Sequence, residues 1–223
     1  MKCGTWPITT RRPLLTLACC LLLAAGPTEP AIYTNDFAKA AVGKVPDDIM
    51  VLDGGFAVRE FDGNKCLELS PDPIGSYGCL FGPEGLAAME VRARIWAAPR
   101  GKRFPEFGIG AGGIGGYKLI LCPARAMLEL RKGDDVVMSV PFKWTAAGWT
   151  WFQLQVEPND KGGWLARGRA WAEGQKQPRE WMLLRQDAQM PSDGRASLWG
   201  DDFSEQPIRF DDLSVSSISV AKS

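Results

Sequence analysis

The chain of 223 residues contains no histidine. That absence excludes Ser-His-Asp and Cys-His catalysis, histidine-ligated zinc and proton transfer by imidazole. Net charge is also missing: 26 Lys and Arg face 26 Asp and Glu, with no basic block. Neither nucleic acid nor an anionic membrane is therefore expected as the main partner. No apolar run reaches the ~20 residues that span a bilayer. No stretch holds apolar residues at helical spacing for three turns, and no linker or repeat divides the chain. No G-x-G-x-x-G opens a helix. The glycine-rich FGIGAGGIGGYKL (107–119) lies between β-type runs without a phosphate-binding Lys-Ser/Thr, and reads as a tight turn joining two strands.

Residues 1–26 read as a helical secretory leader. Arg11 and Arg12 form a positive n-region, Leu14 to Ala25 the apolar segment, and Ala24 and Gly26 the small residues near a cleavage site. The expected location is secreted, periplasmic or cell-surface. A lipid anchor on Cys19 or Cys20 is the alternative reading of the same segment. Losing Lys2, Arg11 and Arg12 with the leader leaves three more acids than bases in the remainder. Cys66, Cys79 and Cys122 then remain. Export permits a Cys66–Cys79 disulfide between two neighbouring predicted strands; the equal alternative is three small buried hydrophobes.

What is present is a rhythm of short alternating runs broken by turn residues. Strands are expected at 49–52, 56–60, 65–69, 77–81, 89–96, 106–111, 117–121, 127–131, 136–141, 151–156, 164–172, 181–186, 195–199 and 208–215. DGG, FDGN, GPEG, KGDD, PNDKGG and GDD separate them. Many short strands at regular spacing predict an all-β fold of two packed antiparallel sheets over 32–220. In WFQLQV (151–156), Phe152, Leu154 and Val156 share one face, and Trp151, Gln153 and Gln155 the other. A symmetric return through PNDKGG would set Leu154 opposite Ala166, Phe152 opposite Gly168, Gln153 opposite Arg167, Trp151 opposite Arg169 and Trp149 opposite Trp171.

The order of several diffuse elements resembles the concanavalin A-like lectin/glucanase superfamily, nearest to secreted bacterial sandwiches related to the 3-keto-disaccharide hydrolase domain. These elements are the opening DFAKAAVGKVPDDIMVLDGGFAVREFDGNKCLEL, FGPEG, GWTWFQLQV, GRAW and the closing IRFDDLSV. The resemblance implies a jelly-roll sandwich and carbohydrate as ligand class. The E-x-D-x-E string of the retaining glucanases is absent, so their hydrolytic chemistry is not carried over.

The strand faces turned away from the core are the expected ligand surface. Alternation collects Glu90, Arg92, Arg94 and Trp96 on one face, Glu129 with Arg131, Trp151 with Gln153, and Arg167 with Arg169 and Trp171. From these, Trp151, Gln153, Arg167, Arg169, Trp171, Arg92 and Glu129 are the candidate carbohydrate-binding set: aromatic rings stack on sugar C–H faces, and polar groups bond the hydroxyls. A solvated face of cross-strand charge pairs is the plainer alternative. Should the face be catalytic, Glu90, Glu106 and Glu129 are the groups available as acid and base. The resemblance further suggests a structural calcium ion tying first strand to last, with Asp36 and Asp211 or Asp212 as ligands; a strand-end role for the FDD carboxylates is the alternative. Trp144, Trp149, Trp164, Trp181 and Trp199 are expected to seal the ends of the core. The chain thus reads as a secreted or cell-envelope module binding glycan or cell-surface polysaccharide, with a carboxylate-based sugar enzyme and a structural envelope domain as alternatives.

Overall fold

The period-two alternation of the sequence becomes strand after strand. A computed structural model describes residues 1, 30–71, 75–85, 88–189 and 194–218; the expected leader and its cysteines lie outside the described residues. The strands are β1 (Ala31–Asn35), β2 (Met50–Asp53), β3 (Phe56–Phe61), β4 (Asn64–Leu69), β5 (Tyr77–Phe81), β6 (Met89–Ala97), β7 (Glu106–Ala111) and β8 (Tyr117–Cys122). They continue as β9 (Met127–Lys132), β10 (Asp135–Pro141), β11 (Gly148–Pro158), β12 (Trp164–Ala172), β13 (Leu183–Asp187), β14 (Ala196–Asp201) and β15 (Ile208–Ser217). One 3-10 turn, Pro123–Arg125, links β8 to β9.

Two antiparallel sheets result. Sheet I runs β13-β12-β11-β6-β15-β4-β3, with β1 added on β15; sheet II runs β10-β9-β8-β7-β14-β5-β2. The closing IRFDDLSV is central to sheet I. One edge of β15 pairs with β6, while its other edge pairs with β4 at Ile208–Phe210 and with β1 at Leu213–Ser216. A bulge between Asp211 and Ser214, where Asp212 takes φ 50°, separates those two partners. Strand β1 was not among the expected strands: AIYTN is short, and its pairing with β15 shifts register between Ala31 and Tyr33.

Between the sheets, Val91, Ala93 and Ile95 of β6, Phe152 and Leu154 of β11 and Phe210 of β15 meet Phe107, Leu119, Leu121 and Leu198 of sheet II, all buried. Removing such side chains from water is what holds the two layers together, at roughly 25 cal/mol per Å² of apolar surface.

Two sequence expectations need correction. The β11–β12 faces are as expected, but the pairing is displaced by two residues: Leu154 sits opposite Gly168, Phe152 opposite Ala170, Gln153 opposite Arg169 and Trp151 opposite Trp171. The hairpin therefore turns one residue nearer its β12 end than the expected symmetric return, about residue 161. Cys66 and Cys79 lie on different sheets rather than neighbouring strands, and all three cysteines are buried free thiols. Burial pushes each thiol up to about 12. The glycine-rich segment turns at 112–116, between the expected strands at 106–111 and 117–121, and Gly108 and Gly110 belong to β7.

Candidate functional site

The outward face of sheet I gathers six of the seven expected ligand-binding residues. Strand pairing sets them in rows: Trp171–Trp151–Arg94–Asp211, then Arg169–Gln153–Arg92–Ser214, then Arg167–Gln155–Glu90–Ser216. Glu129 is not among them, because β9 belongs to sheet II. Trp149 and Trp96 form a further row that ends on Arg209.

Guanidinium groups and aromatic rings interleave across this face. Arg94 lies 4.6 Å from the centre of Trp149, Arg209 lies 3.9 Å from Phe61 and 4.6 Å from Trp96, and Arg169 lies 4.2 Å from Trp181. Most of these arginines are already engaged. Arg94 reaches Glu173, Asp211 and Asp212 at 2.7–2.8 Å; Arg209 bonds Glu68 at 2.8 Å; Arg167 pairs with Glu157. Arg169 donates to Gln153 Oε1 at 2.8 Å and to the carbonyls of Pro178 and Arg179 at 2.5 and 3.2 Å, pinning the 173–182 loop to the sheet. Burial holds its pKa below the ordinary arginine value. For Arg94, burial opposes the charge, but the Asp211 hydrogen bond and the Asp212 carboxylate outweigh it and raise the pKa.

The outward face of sheet II is built differently. Gly78, Gly108 and Gly110 lie beside Trp199 and Ser197 on β5, β7 and β14, giving a floor without side chains. The indole of Trp199 lies across that floor. A Cβ on Gly78 would come within 2.9 Å of the ring, and one on Gly110 within 2.3 Å of Ser197 Oγ and 3.1 Å of the indole nitrogen. Trp199 Nε1 donates to Ser197 Oγ at 2.8 Å, fixing the ring. The Lys118 ammonium stands 3.8 Å from the ring centre and donates to Asp134 at 3.0 Å.

At one end of this trough, Glu106 and Asp201 face each other across β7 and β14. The two Glu106 oxygens are each taken by a guanidinium, Oε1 by Arg125 at 3.1 Å and Oε2 by Arg131 at 2.8 Å. Arg131 also bonds Glu129 at 2.8 Å. Asp201 accepts from the Ser76 hydroxyl; burial, with the Glu106 charge adding to it, raises its pKa above the usual carboxylate range. Ser76, Glu106, Lys118, Arg131, Trp199 and Asp201 thus line a cleft of about 60 Å³.

Solved structures resemble this architecture across most of the chain. A point mutant of the Emp46p carbohydrate recognition domain matches with TM-score 0.56 at 13% identity, covering 84% of this chain and 97% of that one. The fold is a concanavalin A-like lectin/glucanase-type sandwich. A Bacillus subtilis protein of unknown function with a galectin-like fold gives TM-score 0.58 at 12% identity, covering 86% and 97%. Lectin UEA-II complexed with galactose gives 0.51 at 8% identity, covering 84% and 100%. No protein-family model and no curated protein matches the sequence.

On this sandwich the remaining expectations separate. Glu106 and Glu129 come together through Arg125 and Arg131, while Glu90 lies on the opposite sheet, bonded by Gln155. Asp36 lines an open cleft of about 740 Å³ with Asp212, but Asp211 does not line it. Asp211 is buried and accepts from Arg94, Asn64 and the Asp212 amide at 2.7–2.8 Å; burial raises its pKa. Among the described residues no group of three or more His, Cys, Asp or Glu is placed to hold a metal ion.

Trp144 packs on Phe107 at the core margin, as an end seal should, whereas Trp199 stands mid-strand on the outer face. Sequence reasoning thus missed Trp199, Lys118 and Asp201 as site residues. Their signal was the Gly-x-Gly alternation in FGIGA, which strips one face of a strand so that a neighbour's indole can lie flat on it.

Proposed function

We propose that the protein is a secreted or cell-envelope carbohydrate-binding module that holds its ligand in the trough of sheet II and performs no chemistry on it. The observation that carries this reading is the convergence of Trp199, Lys118 and Asp201 on the side-chain-free floor. The indole edge offers an apolar wall, the ammonium a donor and the carboxylate an acceptor for sugar hydroxyls. A fold shared with the Emp46p carbohydrate recognition domain and lectin UEA-II supports the ligand class, as an analogy of fold. Binding rather than turnover is favoured because both oxygens of Glu106 are occupied by guanidinium groups. That leaves Asp201 without a free second carboxylate to act as acid–base partner. The arginine-rich sequence at positions 11–12 and the apolar segment after it support export.

A glycan-array screen, run with and without calcium, tests the reading. Saturable binding to a defined glycan, weakened at least tenfold in both Trp199→Ala and Asp201→Ala, is expected. Wild-type binding in both variants, or a blank array, would overturn it. Calcium dependence would revive an ion near Asp36.

A further inference from the structure

On sheet I, one arginine stands apart from its neighbours. The Arg92 guanidinium lies 5.9 Å from the centre of Trp151 and 5.8 Å from that of Trp171, beside this pair of nearly parallel rings. Arg94, Arg167 and Arg209 on the same face each have a carboxylate partner. Among the described residues Arg92 has none. Of the acids nearest in the rows, Glu157 is paired with Arg167, and Glu90 accepts from Gln155 without forming an ion pair with Arg92.

The row through Arg92 is cationic along its length. Gln153 lies between Arg92 and Arg169, and Arg169 hydrogen-bonds an amide and two carbonyl oxygens, all neutral, with the Glu90 charge of the next row offsetting part of its own. Cation–π contact uses the flat face of a guanidinium and leaves its in-plane N–H donors unspent. Those donors form a fork that matches a carboxylate. Trp151, half-exposed beside it, gives an apolar wall of the kind that a sugar ring meets.

We propose that Arg92 and Trp151 form a second saccharide site, on the sheet opposite the trough, that takes the carboxylate of an acidic sugar residue such as a uronate. The guanidinium clamps the carboxylate in bidentate fashion while the ring that bears it lies against the Trp151 indole. Arg169 holds Gln153 beneath the ligand and adds positive potential. The site borrows its ligand class from the carbohydrate reading, but none of its residues.

Affinity gel electrophoresis of the protein in polygalacturonate and in a neutral glucan separates the two ideas. Wild-type protein is expected to be retarded by polygalacturonate. Arg92→Gln should weaken that retardation at least tenfold in apparent Kd while leaving retention by the neutral glucan at the wild-type level, and Arg92→Lys should fall between because it keeps charge and loses the fork. A Trp199→Ala effect confined to the neutral glycan would leave the site on sheet I standing by itself. Circular dichroism and melting curves matched to wild type confirm that the variants fold. No retardation of the wild type by polygalacturonate, or wild-type retardation of Arg92→Gln, overturns the site. Displacement by acetate at equal carboxylate concentration overturns its preference for a saccharide.

Discussion

Trp151 and Trp171 stack across β11 and β12 with their planes 12° apart and their centroids 6.2 Å apart. The pairing follows from a hairpin register two residues away from the symmetric one, which exchanges an expected Trp–Arg pair for Trp–Trp. Trp171, 6% exposed, is the structural member. Trp171→Ala should cost about 3–5 kcal/mol, and a double-mutant cycle with Trp151→Ala should give a coupling of about 1 kcal/mol. Urea denaturation of the four proteins measures both, and additive effects would contradict the stack.

Gly168 faces Leu119 across the core, and a Cβ there would come within 2.7 Å of a Leu119 methyl. Gly168→Ala should therefore destabilise by about 1–3 kcal/mol through overpacking. Adding Leu119→Val should recover part of that loss in the same denaturation experiment, since it withdraws volume from the contact.

Asp187 of β13 ties the sheets together by accepting from Lys132 at 2.7 Å and from Tyr117 at 2.8 Å. The Lys132 bond first, then the Tyr117 bond and the Gln189 amide, hold its pKa well below the usual carboxylate range. A depressed carboxylate pKa gives stability that is complete above the unfolded value of ~3.9 and disappears as pH falls through the folded one. Asp187→Asn should lower Tm at pH 7 by an amount worth about 1–2 kcal/mol. The gap to wild type should close as the pH is taken below 3.9, where thermal melts would follow it.

Asp201 behaves in the opposite sense. Its folded pKa is raised chiefly by burial, so the cost of its charge sets in as pH climbs through ~3.9 and is complete above the folded value. Asp201→Asn should raise Tm at pH 7 and change nothing near pH 3. In the wild type, glycan affinity should fall as acidification through the raised pKa protonates the acceptor, and calorimetry at a series of pH values would record this. A flat pH profile would remove Asp201 from the site.

Much of the sandwich could be read directly because period-two burial leaves its mark on each strand by itself. Phe152, Leu154 and Val156 went to the core, and Trp151 and Gln153 outward, as alternation requires. Register could not be read in the same way. Moving a pairing by two residues keeps every side chain on its face, so the pattern is silent about it. Sheet membership was equally hidden: Glu129 and Arg131 alternate as Trp151 and Gln153 do, and only the strand order sends them to opposite sides of the molecule. The trough escaped notice because its floor is made by the absence of side chains at Gly78, Gly108 and Gly110, and alternation of side chains carries no mark where there are none.

Where a bound glycan sits distinguishes the trough of sheet II from every other surface of the sandwich. Crystals of the protein soaked with the strongest neutral glycan from the array would decide it. The expected result is a sugar in the trough of sheet II, with hydroxyls on Asp201 and Lys118 and an apolar edge against Trp199. A neutral sugar seated elsewhere, with that trough empty, would contradict it.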